Sequence, residues 1–305
     1  MGMIKIGCCG YPTSMKKYYG LFKLVELNTT FYQYPRFSTV EGWRQKAPEN
    51  FEFTVKANQE ITHKSKMEFN DASQTAFEKM KQICKALKAK ILLFQTPASF
   101  KPEKLETARF FFEKVNRENL ILVWETRGPA WETPETRDRL AEALKEVDVS
   151  HVVDPFRSPP AYTSRVAYFR LHGLGERLYY YQYTDEELKR LKTFVEPFQK
   201  SGLEVYVLFN NLAMFQDAVR FQTYLETGEF PKITAGTGLE SIKEVVSRTR
   251  YPVSKSMLVR KLGWKLVEIR EKEQIRLSEL LKNLPSKTYE NVEEVIREIK
   301  RCSLI

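Results

Sequence analysis

Glu26 and Glu125 each stand near the end of an apolar, alternating stretch, LVELN at 24–28 and LVWET at 122–126. Two carboxylates aimed at one cavity can divide the work of general acid and general base where their surroundings separate their pKa values. Asp154 and His172 close two further stretches of this kind, VVD at 152–154 and YFRLH at 168–172, and complete the candidate catalytic set. Lys56, Arg127 and Arg170 supply positive charge for a phosphate or carboxylate, the arginines as planar forks and the lysine as a point charge. Asn28, Asn210 and Asn211 offer amides to sugar hydroxyls or phosphate oxygens. Tyr11, Tyr32 and Trp131 offer faces for a base or a sugar ring, and His63 joins the same substrate-binding set. Packing is the plainer role for each aromatic taken singly. Ion pairs such as Glu125 with Arg127 or Asp154 with Arg170 are the plainer role for each charge.

The same side chains allow a weaker metal reading. His172, Glu26, Glu125 and Asp154 include the imidazole and carboxylate ligands that suit Zn, Mn or Mg. No HxxxH or HxH spacing supports them, the chain has only His63, His151 and His172, and Lys56 and Arg170 would repel a cation. The expectation is therefore no assigned metal site, with a divalent ion left as the one cofactor worth testing. Cys8, Cys9, Cys84 and Cys302 show no CxxC spacing, and adjacent Cys8 and Cys9 are poorly placed to bridge each other. Buried small residues are the expected role for that pair.

The polar residues need elements to aim them, and the strand period supplies the rule: neighbours point to opposite faces. Apolar segments with polar ends recur eight times, at 4–9, 24–28, 51–57, 91–95, 120–126, 151–154, 166–172 and 204–210. Between most of them, apolar residues recur at spacings of three and four. Examples are Ala76, Met80, Ile83 and Leu87, or Leu188, Leu191, Val195 and Phe198. The helices after the first and sixth strands look short or missing. Eight alternating units predict an α/β fold, a (β/α)8 TIM barrel, over a doubly wound sheet, because no glycine-rich phosphate loop follows the first strand. Val25, Leu27, Phe53, Val55, Trp124, Val153, Phe169, Leu171, Val207 and Phe209 are then expected to face the helices. Glu26, Asn28, Lys56, Glu125, Arg127, Asp154, Tyr168, Arg170, His172 and Asn210 face inward, crowded toward the C-terminal strand ends where barrels place their chemistry. After Pro231 the pattern changes to short helical segments, the last opened by Asn291 with Glu294 three residues on. The expected domains are a barrel over 1–232 and a small all-α module over 233–305.

At 305 residues, with 42% hydrophobic and 29% charged residues, the chain is an ordinary globular sequence. No run of about 18 apolar residues or secretory signal pattern occurs, so no membrane span and a cytoplasmic location are expected. The net charge of +10 suits a polyanionic partner such as DNA or RNA. Residues 233–305 hold 15 Lys and Arg against 10 Glu, half of the excess, so the charge is dispersed rather than gathered in a tail.

Several segments together resemble a known family. They are GCCGY at 7–11, VELNTTFYQYP at 25–35, FTVKANQEITH at 53–63, FQTPASF at 94–100, WETRGPAW at 124–131, VVDP at 152–155, YFRLHG at 168–173 and FNN at 209–211. In this order they are similar to the YecE-like family, domain of unknown function 72. The resemblance implies a TIM barrel and leaves the chemistry open, since no activity is established for that family. Cys8 and Cys9 stand where the family usually has Thr or Ser, and Tyr11 where it has Trp, which weakens any role for a first-strand hydroxyl. The segments at 251–263 and 280–299 resemble, over a shorter span, domain of unknown function 2795.

The functional expectation is an enzyme, a hydrolase or lyase acting on a phosphate-bearing sugar at the C-terminal mouth of the barrel. Nucleic acid, through its backbone or an abasic site, is the favoured substrate. One alternative is a non-catalytic module gripping an anionic small molecule, with a helical tail that recruits a partner. Another is a small-sugar isomerase or hydrolase. Oligomeric state is left open.

Overall fold

The computed structural model describes residues 2–302. Two compact units divide the chain: Met1–Leu171 with Leu191–Asn210, and His172–Arg190 with Asn211–Ile305.

The first unit is built on eight parallel strands: β1 (Ile4–Cys9), β2 (Leu24–Leu27), β3 (Glu52–Lys56), β4 (Ile91–Gln95), β5 (Ile121–Glu125), β6 (Ser150–Val152), β7 (Val166–Leu171) and β8 (Glu204–Phe209). They hydrogen-bond in the order β6-β5-β4-β3-β2-β1-β8-β7. A bridge between Val153 and Phe169, with the Arg170 N–H donating to the Val153 carbonyl at 3.0 Å, closes β6 onto β7. The sheet is therefore a barrel, and the expected (β/α)8 class is correct.

Barrel closure fixes which residues point inward. Leu24, Ile91, Leu93, Val123, Val152, Val166, Tyr168, Tyr206 and Leu208 form one buried cluster with Cys9. Each shares its strand parity with a polar residue nearer the C-terminal end: Leu24 with Glu26, Leu93 with Gln95, Val123 with Glu125, Tyr168 with Arg170. At the N-terminal end, Lys5 pairs with Glu52 and, at 3.0 Å, with Glu204, while the Tyr206 hydroxyl donates to Glu52 at 2.9 Å. Where β1 meets β2, a Cβ on Gly7 would stand 2.4 Å from the Leu24 carbonyl oxygen, so only glycine allows that approach.

The helices follow their apolar periodicity. Between β1 and β6 come α1 (Met15–Tyr19), α2 (Thr29–Tyr32), α3 (Phe37–Lys46), α4 (Asp71–Leu87), α5 (Leu105–Lys114) and α6 (Pro134–Glu146). In α4, Ala76, Phe77, Met80, Ile83, Cys84 and Leu87 make one buried stripe. Its start is set by a reciprocal cap between Asn70 and Ser73. α1 has five residues, and a loop without helix joins β6 to β7, as the sparse periodicity there predicts. All four cysteines are unbridged.

α7 (Asp185–Lys200) begins in the second unit, which also holds α8 (Met214–Thr227), α9 (Leu239–Val246), β9 (Val253–Ser254), α10 (Lys255–Leu262), β10 (Leu266–Arg270), β11 (Glu273–Arg276), α11 (Leu277–Leu281), β12 (Thr288–Tyr289) and α12 (Val292–Arg301). Ile242, Val246, Leu258, Leu262, Leu277, Leu280, Leu281, Val295 and Ile299 form its core. The Asn291 carboxamide caps α12 by accepting from the Glu294 N–H at 2.9 Å.

Two expectations differ from this structure. The tail is not all-α, because β10 pairs with β11 and β9 with β12, both antiparallel. The tight turn that makes the first pair places Lys272 at φ 64°, a conformation its sequence does not advertise. The expected boundary at 232 also does not coincide with the division between units. Segment 172–190 is tied to the tail through Gln182, whose side-chain carbonyl accepts from the Leu266 N–H at 3.0 Å. Arg276 further donates to the Gln182 and Trp264 carbonyls at 3.2 and 3.0 Å.

Candidate functional site at the C-terminal end of the barrel

Glu26, Glu125 and Arg170 stand at or one residue before the C-terminal ends of β2, β5 and β7 with inward parity, and these three meet. The Arg170 guanidinium spans both oxygens of Glu26, with Nη2 at 2.8 Å from Oε1 and Nε at 3.1 Å from Oε2, and its Nη1 pairs with Glu125. Glu125 also receives Arg127, whose Nη2 lies 2.6 Å from Oε1. The Tyr168 hydroxyl donates to Glu26 at 2.8 Å and reaches Thr54 at the same distance. Glu26, Arg170 and Glu125 are all buried, while Arg127 is half-buried.

The expected wet pocket is thus corrected at its floor: the two carboxylates are drawn into ion pairs because one guanidinium fork can satisfy both. Glu125 with Arg127 forms as anticipated, but Arg170 takes Glu26 and Glu125. Burial alone would raise the Glu26 pKa; the Arg170 guanidinium and the Tyr168 hydroxyl outweigh it and hold the carboxyl below its usual range. A carboxylate held in this way does not donate protons near neutrality, so Glu26 orients Arg170. Beside it, burial first and the Glu26 carboxylate second push the Cys9 thiol well up, which makes it unreactive.

Lys56 ends β3 with 9% of its surface exposed. Its Nζ donates to the Gln95 carboxamide at 2.7 Å and lies 4.1 Å from the centre of the Phe31 ring. Burial, then the neighbouring Arg170 charge, lowers its pKa to about 8. The loops after β2 and β3 are stapled around it: the Thr30 hydroxyl donates to the Lys56 carbonyl at 2.7 Å, and the Asn58 amide to the Thr30 carbonyl at 2.8 Å. β2 and β3 pair as Glu26 with Thr54 and Leu27 with Val55, and Asn28 follows β2 as the residue that opens α2. The Asn28 Oδ1 is buried and has no hydrogen-bond partner.

His63 sits in a π-helical turn, Glu60–Lys64, with its ring packed edge-on to Phe31 and its Nδ1 2.8 Å from the Thr62 hydroxyl. Burial, then the Lys56 charge, lowers its pKa. The turn runs into Lys66 and Met67 at φ 48° and 60°, two successive left-handed residues with side chains. Such strain persists only where packing enforces it and tends to gather at functional sites. Asp154 is buried and accepts from the Phe156 N–H at 3.1 Å.

The remaining candidates lie elsewhere or are otherwise engaged. Tyr32 is 71% exposed and packs edge-on to Phe31. Asn210 closes β8 with its N–H bonded to the Leu171 carbonyl at 2.8 Å. Tyr11 packs on Tyr18 and Tyr19 and reaches the Tyr19 hydroxyl at 3.0 Å. Trp131 is buried, stacked on Phe100 and bonded through Nε1 to the Phe100 carbonyl at 2.9 Å, which leaves no face open for a ligand. His172 and Asn211 belong to the second unit. There His172 packs against Tyr179, and Asn211 donates to Asp217 and to the Tyr181 carbonyl at 2.7 and 2.8 Å. Among the described residues, no group of three or more His, Cys, Asp or Glu could hold a metal ion. Gln95 and Tyr168 contact the charged residues but were not among the site candidates. Tyr168 was legible only as inward-facing, and β4, apolar on both faces, hides the parity that would have found Gln95.

An eight-stranded parallel barrel whose charged residues collect at the C-terminal strand ends defines the class. The chain belongs to the family described as protein of unknown function DUF72, whose model matches residues 9–235. It is 27% identical over 250 residues to the UPF0759 protein YunF of Bacillus subtilis strain 168, covering 68% of this chain and 89% of that one. A solved DUF72 family protein from Enterococcus faecalis V583 is 26% identical, with a TM-score of 0.62 over 74% of this chain and 98% of its own. A second, from Thermotoga maritima MSB8, is 28% identical, with a TM-score of 0.59 over 73% of this chain and 99% of its own. The family model ends before most of the tail and does not bear on the resemblance of that segment to domain 2795. No helix among the described residues is long and apolar enough to cross a membrane.

Proposed function

We propose that the C-terminal end of the barrel binds a phosphate-bearing sugar and cleaves it by hydrolysis or elimination, with nucleic acid, at its backbone or an abasic site, as the substrate class. The observation that carries this reading is the excess of cations in the cluster: Lys56, Arg127 and Arg170 stand against Glu26 and Glu125. Glu26 and Glu125 hold the Arg170 fork rigid and take up its charge, so the cations left to meet a phosphate are Arg127 and Lys56. Arg127, half-buried two residues past β5, supplies the direct grip on the phosphate, with Lys56 at the end of β3 on the side of the sugar. The net charge of +10 favours a polyanion approaching from solution.

The test is product analysis. Purified protein is incubated with labelled single strands, intact duplex, RNA and a duplex holding one abasic site, each with and without Mg, Mn or Zn. A cleaved strand from the wild type, absent with Glu125→Gln and reduced about tenfold or more with Arg127→Ala, supports the reading. Every substrate left intact by the wild type under all conditions removes it. A second reading, an anion-binding module without turnover, is favoured by the burial of Glu26 and Arg170. It predicts the same substrates bound and released unchanged.

A further inference from the structure

We infer that the Lys56 amine is a nucleophile that condenses with the open-chain carbonyl of a phosphorylated sugar, forming an imine at the end of β3. This deepens the reading above and rests on it for the phosphate. Three observations carry it.

The first is the company the amine keeps. A lysine with 9% of its surface exposed is ordinarily paired with a carboxylate, since an unpaired buried charge is costly. No carboxylate among the described residues lies within ion-pair distance of Lys56; the hydrogen bond of its amine is to the neutral Gln95 carboxamide, and the amine lies over Phe31. The charged groups around it are Arg170, Arg127, Glu26, Glu125 and His63, and the carboxylates among them are already held by the arginines. Such surroundings favour the neutral amine, and a pKa of about 8 leaves about a quarter of it neutral at pH 7.5 against about one in a thousand for an ordinary lysine.

The second observation is the orphan acceptor. Asn28 Oδ1 is buried without a donor, on the residue that follows β2, the strand paired with the one that Lys56 ends. A hydroxyl adjacent to the carbonyl of a sugar would supply the missing hydrogen bond. The third is rigidity: the Thr30 and Asn58 staples and the strained π-helical turn fix the two loops that flank the amine.

The step balances without a redox partner. The amine lone pair attacks the carbonyl carbon, the C=O π pair moves to oxygen, and the resulting carbinolamine loses that oxygen with the two amine protons as water, leaving C=N. With His63 lowered in pKa, a neutral imidazole is available nearby to carry a proton between nitrogen and the departing oxygen.

The experiment has two arms. In the first, the full chain is incubated with D-glyceraldehyde 3-phosphate and cyanoborohydride, which delivers hydride to the imine carbon and fixes the adduct as a secondary amine. Peptide mass mapping then reads the labelling rate of each lysine between pH 6.5 and 9. In the second, thermal shift is read with glycerol 3-phosphate, which keeps the phosphate and hydroxyls but has no carbonyl. Labelling of Lys56 on the order of tenfold faster than any other lysine, rising with pH to a plateau above about 8 and absent in a folded Lys56→Arg variant, supports the inference. Should Lys56→Arg fail to fold, the wild-type map alone decides. Labelling spread over surface lysines, with Lys56 no faster, overturns the imine. If glycerol 3-phosphate then still shifts the melting point, the phosphate-sugar reading survives without it; if it does not, both fall.

Discussion

At the scale of single residues, Arg170 is the buried cation that two carboxylates share. Removing it in Arg170→Met strands two buried carboxylates, and denaturant unfolding should show a loss of about 3–5 kcal/mol. An unchanged midpoint would mean that the pair is dispensable. Glu26 gives the acid limb. Its folded pKa is below its unfolded value, so its contribution is complete above about 4.5 and is lost as pH falls through the folded value. Stability measured from pH 6 downward should fall below roughly pH 4.5, and Glu26→Gln should flatten that limb. Lys56 has the opposite sign: its depressed pKa means the protonated form is penalised in the folded state below about 8, and the penalty is relieved toward high pH. Lys56→Met should therefore stabilise the protein at pH 7, on the order of 1–3 kcal/mol by urea titration, while removing any activity. A destabilised Lys56→Met would show that the amine is structural. The sequence made these residues legible as types and as inward-facing positions. It could not show that one guanidinium would claim both carboxylates, because that depends on the reach of side chains across the barrel.

At the scale of elements, β-strand parity was the informative signal where one face was polar. In β2, β3, β5 and β7 the alternation placed Glu26, Lys56, Glu125 and Arg170 on the interior face. In β4, with ILLF apolar on both sides, it could not place Gln95. Trp131 shows the opposite limit: the WETRGPAW run reads as an aromatic next to charges, and only packing on Phe100 reveals it as core. The β10–β11 hairpin went unforeseen because Lys272 occupies a left-handed position that glycine would announce. Lys272→Gly should accordingly raise thermal stability, by about 0.5–1 kcal/mol, since the turn keeps its backbone and loses the side-chain strain. No gain would mean that Lys272 offsets the strain through a contact of its own.

At the scale of the whole molecule, length and the eightfold alternation sufficed for the barrel, and composition sufficed for a polyanion as the partner to test. The tail was legible as a separate pattern, but its tie to 172–190 through Gln182 and Arg276 joins residues about ninety apart in sequence, beyond the reach of local periodicity. On the proposed function, the anion enters at the C-terminal strand ends rather than spreading over a basic surface. The most direct measurement of this is the affinity for a fluorescent duplex bearing one abasic site, compared between the wild type and the double variant Lys56→Met, Arg127→Ala at one salt concentration. The account predicts binding weakened about tenfold or more in the double variant. Equal affinity would place the contact on the dispersed surface charge and contradict it.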